Sequence, residues 1–173
     1  MTSAHGFTDK DCDRIARDIF SRMKKAGWLL GYRFTEGKGW WLDWVSHGAE
    51  ASNTLKQWGQ LLHLAEDADS GPVLAYELAH GKSLLIADRA AKETQTLLDR
   101  YVEAGFATRA VITPDGRGDI AWTSAGLDFC DRFNAITSEL GIGADPDTLI
   151  MLFAIADDWA PGPDTPLRSV SDN

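Results

Sequence analysis

Behind an acidic start at Thr8, Asp9 and Asp11, the apolar residues Ile15, Ile19 and Met23 recur at i, i+4 and i+8. This spacing predicts a helix to about Ala26 with one buried stripe, and Gly27 is placed to stop it. The pattern then alternates. Trp28 to Thr35 and Trp40 to Ser46 flank Glu36-Gly37-Lys38-Gly39 and predict a β-hairpin. Trp28, Leu30, Tyr32 and Phe34 share one face with Trp40, Leu42 and Trp44 across the turn, which leaves Trp41 on the other side. This tryptophan-rich stretch reads either as a small aromatic core or as a stacking platform. Leu55, Trp58, Leu61, Leu62 and Ala65 return to helical spacing behind Asn53 as a cap, so a helix is expected from about Asn53 to Glu66. A short helix over Leu74 to Ala79 and a longer one ending at Ala104 follow, with Gly105 as the stop. Phe106 to Thr113 and Asp119 to Thr123 form a second hairpin around Pro114-Asp115-Gly116-Arg117-Gly118. Ser124 is expected to cap a helix to about Glu139, and Asp145-Pro146 to open a last one ending at Trp159.

Shifting the chain by 78 residues lays Ile19 to Ala51 over Leu97 to Phe129, and seven of 33 pairs are identical. The matches fall at the helix end (Arg22 and Arg100, Ala26 and Ala104), at the glycine stop (Gly27 and Gly105) and in a strand (Thr35 and Thr113). The return strand (Trp44 and Trp122) and the next helix start (Ser46 and Ser124, Gly48 and Gly126) complete the set. Both stretches read helix, glycine, strand, tight turn, strand, cap, helix. Too few residues precede the first copy to hold two further helices, so it is expected to be an incomplete unit.

The expected class is mainly α with short β-hairpins. Residues 1–52 form an N-terminal helix and Trp-rich hairpin, 53–140 a central domain, 141–160 an apolar helix and 161–173 a disordered tail. Composition agrees with a folded chain: 44% of residues are hydrophobic and 25% charged. The longest apolar run, Leu149 to Ala156, is far short of the roughly 20 residues of a membrane span. MTSAHGFTDKD has no basic n-region or apolar h-region, so a cytoplasmic protein with no membrane association is expected. Cys12 and Cys130 have neither CxxC spacing nor clustered histidines and read as buried free thiols.

From Leu55 to Phe133 the order of elements resembles MarR-type winged-helix regulators. The resemblance is carried by LKQWGQLLHLAEDADSGPVLAYELAHG, LLDRYVEAGFATR, ITPDGRGDIAWT and SAGLDFCDRF. It implies a winged helix over residues 53–140, and makes the N-terminal helix and hairpin an incomplete second one. The helix before Gly105 would then enter a major groove of double-stranded DNA and the wing would reach phosphates or an adjacent groove. Lys82, Ser83, Arg89 and Lys92 on the helix side, with Arg109 and Arg117 on the wing, are the contacts that follow. The helix from Pro146 to Trp159 fits equally a core position or the seam of a homodimer.

Charge opposes this reading. Residues 1–110 hold 14 Lys and Arg against 15 Asp and Glu, while residues 111–173 hold 3 against 11. An acidic surface repels phosphate unless basic groups gather on one face. Two functions are therefore carried forward: a winged-helix transcriptional regulator, and an acidic inhibitor or adaptor that meets a basic protein partner. For the second, which includes anti-defence proteins of phages or mobile elements, Trp41, Asp157 and Asp158 are the candidate contacts. No catalytic residues, metal ligands or cofactor are expected, and the chain does not read as an enzyme. Asp9, Asp11 and Asp13 imitate a calcium loop, but Arg14 and Phe20 occupy the positions that need Gly and Glu.

Overall fold

The computed structural model describes residues 9–64, 71–81, 88–143 and 145–168. It is an α+β fold whose described residues form six helices and two antiparallel hairpins. The order is α1 (Asp9–Lys25), β1 (Leu29–Thr35), β2 (Gly39–Trp44), α2 (Ser46–Leu61), α3 (Gly71–Ala79), α4 (Asp88–Glu103), β3 (Ala107–Ile112), β4 (Gly118–Trp122), α5 (Ser124–Glu139) and α6 (Pro146–Trp159). None of the helices, among the described residues, is long and apolar enough to cross a membrane.

Two helix-hairpin-helix units, α1-β1-β2-α2 and α4-β3-β4-α5, repeat one another at a spacing of 78 residues. Each first helix ends through the same hydrogen bonds: Trp28 N donates to Met23 O at 2.8 Å, and Phe106 N to Tyr101 O at 2.9 Å. Gly27 at φ +80° and Gly105 at φ +79° make the left-handed turn that this ending requires. The hairpins share a register, Leu29 opposite Trp44 and Ala107 opposite Trp122, with a bulge at the same place after each. Val45 N then donates to Trp28 O and Thr123 N to Phe106 O. A glycine in the first turn of the closing helix lets it approach the preceding strand. A Cβ on Gly48 would lie 2.4 Å from Trp28 O, and one on Gly126 1.8 Å from Phe106 O.

The units exchange contacts reciprocally, as across a two-fold axis. Arg22 Nη1 of α1 donates to Leu140 O (3.3 Å) and Gly141 O (2.7 Å), carbonyls left open at the end of α5. Arg100 Nη1 of α4 donates to Leu62 O at the end of α2, 3.1 Å away. Thr54 and Arg132, themselves 78 apart, meet at 3.1 Å between α2 and α5. The remaining helices follow the same relation: α3 packs on α4 and α5, and α6 packs on α1 and α2. The helix that the N-terminal copy lacks on its own side is thus supplied from the other end of the chain. Leu149 through Ala156 are all buried in the process, and one apolar cluster runs through both units.

Four local expectations change. First, α2 begins at Ser46 rather than Asn53, so the boundary expected between residues 52 and 53 falls inside a helix. Gly48, Ala49, Ala51 and Ser52 extend the buried stripe of Leu55 and Trp58 backwards, and these small residues do not register in a search for large apolar spacing. Second, the bulge after Leu29 turns Leu29 into the core (2% exposed) and leaves Leu30 half-buried, so the simple alternation expected from Trp28 fails. Third, residues 161–168 are placed along the first unit. Val45 has no side-chain cap to offer, and Arg168 O accepts from Ser46 N instead, while Arg168 N donates to Trp44 O. Fourth, in the second unit Thr123, rather than Ser124, is the cap and accepts from Gly126 N.

Candidate functional site

Of the residues expected to touch DNA, Lys92, Arg109 and Arg117 have described side chains, and the two arginines each stand beside an aspartate. Lys82 and Ser83 lie outside the described residues, Arg89 is on the first turn of α4, and Lys92 is exposed one turn later. On the second hairpin, Arg109 sits 3.4 Å from Asp119 and Arg117 3.4 Å from Asp115. The Thr113 hydroxyl donates to Asp115 and holds its carboxyl below the usual range, so the neutralising charge persists into mild acid. The pattern extends over the molecule. At least seven of the nine arginines with described side chains lie 2.8 to 3.9 Å from an aspartate. Such exposed pairs add little stability, but they cancel the field a phosphate would feel.

The first hairpin differs in chemistry while sharing the geometry. Trp41 is 50% exposed on its outer face, with the Arg33 guanidinium 5.7 Å over the ring. Tyr32, Phe34 and Trp40 occupy the inner face, where Phe20 of α1 packs at a tilt against Tyr32 and Trp40. Phe34 is only half covered, at 51% exposure. It opens with Trp40 and Trp159 into a groove of about 340 Å³ bounded by Asp9, Cys12, Asp13, Ala16 and Gly39. Asp157 and Asp158 are exposed on the last turn of α6, which delivers Trp159 to this groove.

Comparison with protein-family models, with curated proteins and with solved structures found no match to this chain. The site therefore rests on its own chemistry.

Only Trp41, Asp157 and Asp158 of this region were legible as candidates in the sequence. Phe34, Trp40 and Trp159 were not, because Trp159 reaches the hairpin only after α6 folds back across some 120 residues of chain. The density of tryptophan was the available signal. Period-two alternation cannot tell an inner face that is sealed from one left partly open.

Other polar features serve structure. Trp28 Nε1 donates to Glu139 Oε1 at 2.8 Å, and His47 Nε2 lies 2.6 Å from the same oxygen, tying the start of α2 to the end of α5. Cys12 and Cys130 are buried free thiols. Burial raises both, Cys130 to about 11, which suppresses the thiolate. Among the described residues no group of three or more His, Cys, Asp or Glu side chains is arranged to hold a metal ion.

Proposed function

We propose that the chain is a pseudo-dimeric winged-helix protein that works by protein contacts, as an inhibitor or adaptor meeting a basic partner. The observation that carries this reading is the juxtaposition at the first hairpin. Exposed aromatic side chains on both of its faces lie at the end of the molecule where α6 presents Asp157 and Asp158. Half-exposed tryptophan and phenylalanine are the residue types that supply binding energy at protein interfaces, and carboxylates around them select a basic partner. The paired arginines on the opposite hairpin support the same choice by weakening the alternative.

The test is photocrosslinking from a benzoylphenylalanine placed at position 41, with position 117 as the comparison. A discrete protein adduct from position 41 that disappears with Asp157→Lys and Asp158→Lys is the expected result. No adduct from position 41, or one indifferent to those reversals, overturns the reading.

A transcriptional regulator is the second reading, favoured by the reciprocal two-fold arrangement, which is the form that dimeric DNA readers use to span paired half-sites. It requires duplex binding with a steep salt dependence and loss of affinity on Arg117→Ala or Lys92→Ala. A mobility-shift titration at low salt decides it.

A further inference from the structure

The groove between the first hairpin, α1 and α6 has a more specific chemistry than a general contact surface. We infer that it receives an arginine side chain from an extended basic segment of the partner protein. This rests on the protein-binding reading above and adds the ligand chemistry of one site within it.

Three observations point to a guanidinium. The walls are aromatic: Phe34 and Trp40 stand 5.3 Å apart at 62°, and Trp159 closes the third side. Aromatic faces attract cations, and Arg, being planar and weakly hydrated, stacks on them best. Acid groups stand at the edge. Asp9 is exposed with no ion-pair partner among the described residues, and Asp13, already held by Arg17 at 2.8 Å, stands beside it on the same edge. The molecule also performs the same recognition internally. The Arg17 guanidinium lies 4.8 Å over the Trp40 ring while its Nε contacts Asp13 at 2.8 Å, an aromatic-plus-carboxylate clasp of one of its own arginines.

The second unit provides a comparison within one chain. At a spacing of 78, Asp9 and Asp13 correspond to Ala87 and Ala91, Phe34 to Ile112, Gly39 to Arg117 and Trp40 to Gly118. Neither the carboxylates nor the aromatic walls recur there, and a cation, Arg117, stands where the first unit has Gly39. The fold does not need these residues to close a unit, so their presence in the first unit calls for another reason. A chain of net charge -9 with carboxylates around an aromatic groove is complementary to a basic segment.

The probe is the pentapeptide acetyl-Gly-Gly-Arg-Gly-Gly-amide, with the same peptide carrying citrulline in place of arginine. Citrulline keeps the shape and planarity but not the charge. Titration into the full-length protein is followed by the ¹⁵N-indole signals of Trp40 and Trp159, assigned from single Trp→Phe variants. The arginine peptide should shift both signals saturably, and bind at least about threefold more tightly than the citrulline peptide, the low end of a cation-aromatic contact. Phe34→Ala and Asp9→Asn, both at exposed positions, should each weaken it by a similar factor. Equal shifts from the two peptides, no saturable shift up to millimolar peptide, or indifference to both substitutions overturns the inference. An adduct from position 41 together with a silent groove would fell this inference alone, whereas a responsive groove with no adduct would fell the broader reading.

Discussion

Replacing Gly126 with alanine tests the geometry on which both units depend. The added Cβ would lie 1.8 Å from the Phe106 carbonyl oxygen and 2.7 Å from Trp122 Cε3. Ordinary contact begins near 3.4 Å, so the start of α5 has to withdraw by roughly 1.6 Å. That movement breaks the bond from Thr123 N to Phe106 O (2.9 Å) and the one from Thr123 Oγ1 to Gly105 O (2.6 Å). Each lost bond costs about 1 kcal/mol and the loosened packing about 1 to 3 more. Alanine returns at most about 1 kcal/mol of helix propensity, leaving a net loss of about 2 to 5 kcal/mol. For a chain of this size that lowers the melting temperature by roughly 5 to 15 °C. Gly48→Ala meets the equivalent clash at 2.4 Å and should lose less, while Gly143, with nothing within 4 Å and no positive φ, should change by under about 0.5 kcal/mol. Urea and thermal unfolding followed by far-UV circular dichroism give the three values. The close approach of α5 to β3 is refuted if Gly126→Ala unfolds at the wild-type midpoint, or if Gly143→Ala proves the more damaging change.

The reciprocal caps make a crossed prediction. Arg22→Ala should speed amide exchange at the end of α5 and spare α2, whereas Arg100→Ala should do the reverse, each by about 1 kcal/mol of local protection. Asp145 is held below the usual carboxylate range by the Thr148 hydroxyl and then by Thr148 N, so its cap stabilises the fold above the unfolded pKa. That stability is lost as pH falls through the lower folded value. Asp145→Ala should therefore cost about 1 kcal/mol at neutral pH, and its difference from wild type in urea midpoint should shrink below about pH 4. Cys130, buried and with its thiol raised to about 11, should react with a thiol reagent at pH 7.5 far more slowly than an exposed thiol; rapid native labelling there would contradict its placement.

What could be read from the sequence was whatever local periodicity encodes. The stripe of Ile15, Ile19 and Met23, the glycine stops at 27 and 105 and the Asp145-Pro146 start are determined within a few residues of chain, and the structure places each element there. The start of α2 was missed because its buried face there is made of Gly48, Ala49 and Ala51, which carry no strong hydrophobic signal. Residues 161–168 were expected to be unstructured because their ordering depends on a distant deficiency, the uncapped Ser46 N of α2. The same limit applied to the candidate site. Trp41 is outward by strand alternation alone, but the groove exists only through the return of α6, and the arginine-aspartate pairs that empty the second hairpin of charge are spatial facts.

Duplication within one chain separates residues kept for folding from residues kept for something else. Positions with a structural task recur: Arg22 and Arg100 cap the opposite helix, Gly27 and Gly105 turn the chain, Gly48 and Gly126 admit the closing helix. Trp44 and Trp122 hold the same register in the return strand. The positions that depart from the repeat include the exposed hairpin residues, where Phe34, Trp40 and Trp41 correspond to Ile112, Gly118 and Asp119 in the other copy. Two hairpins of one register, packed on one core, satisfy the same backbone constraints with opposite surface chemistry. Trp40 packs in part on the core, but closing a hairpin does not require Phe34 or Trp41, since both are half-exposed and the second hairpin closes without them. A half-exposed tryptophan gains little from folding and leaves apolar area in water. Burial against a partner recovers that area, which makes the first hairpin, and not the arginine-bearing second one, the surface on which function is to be sought.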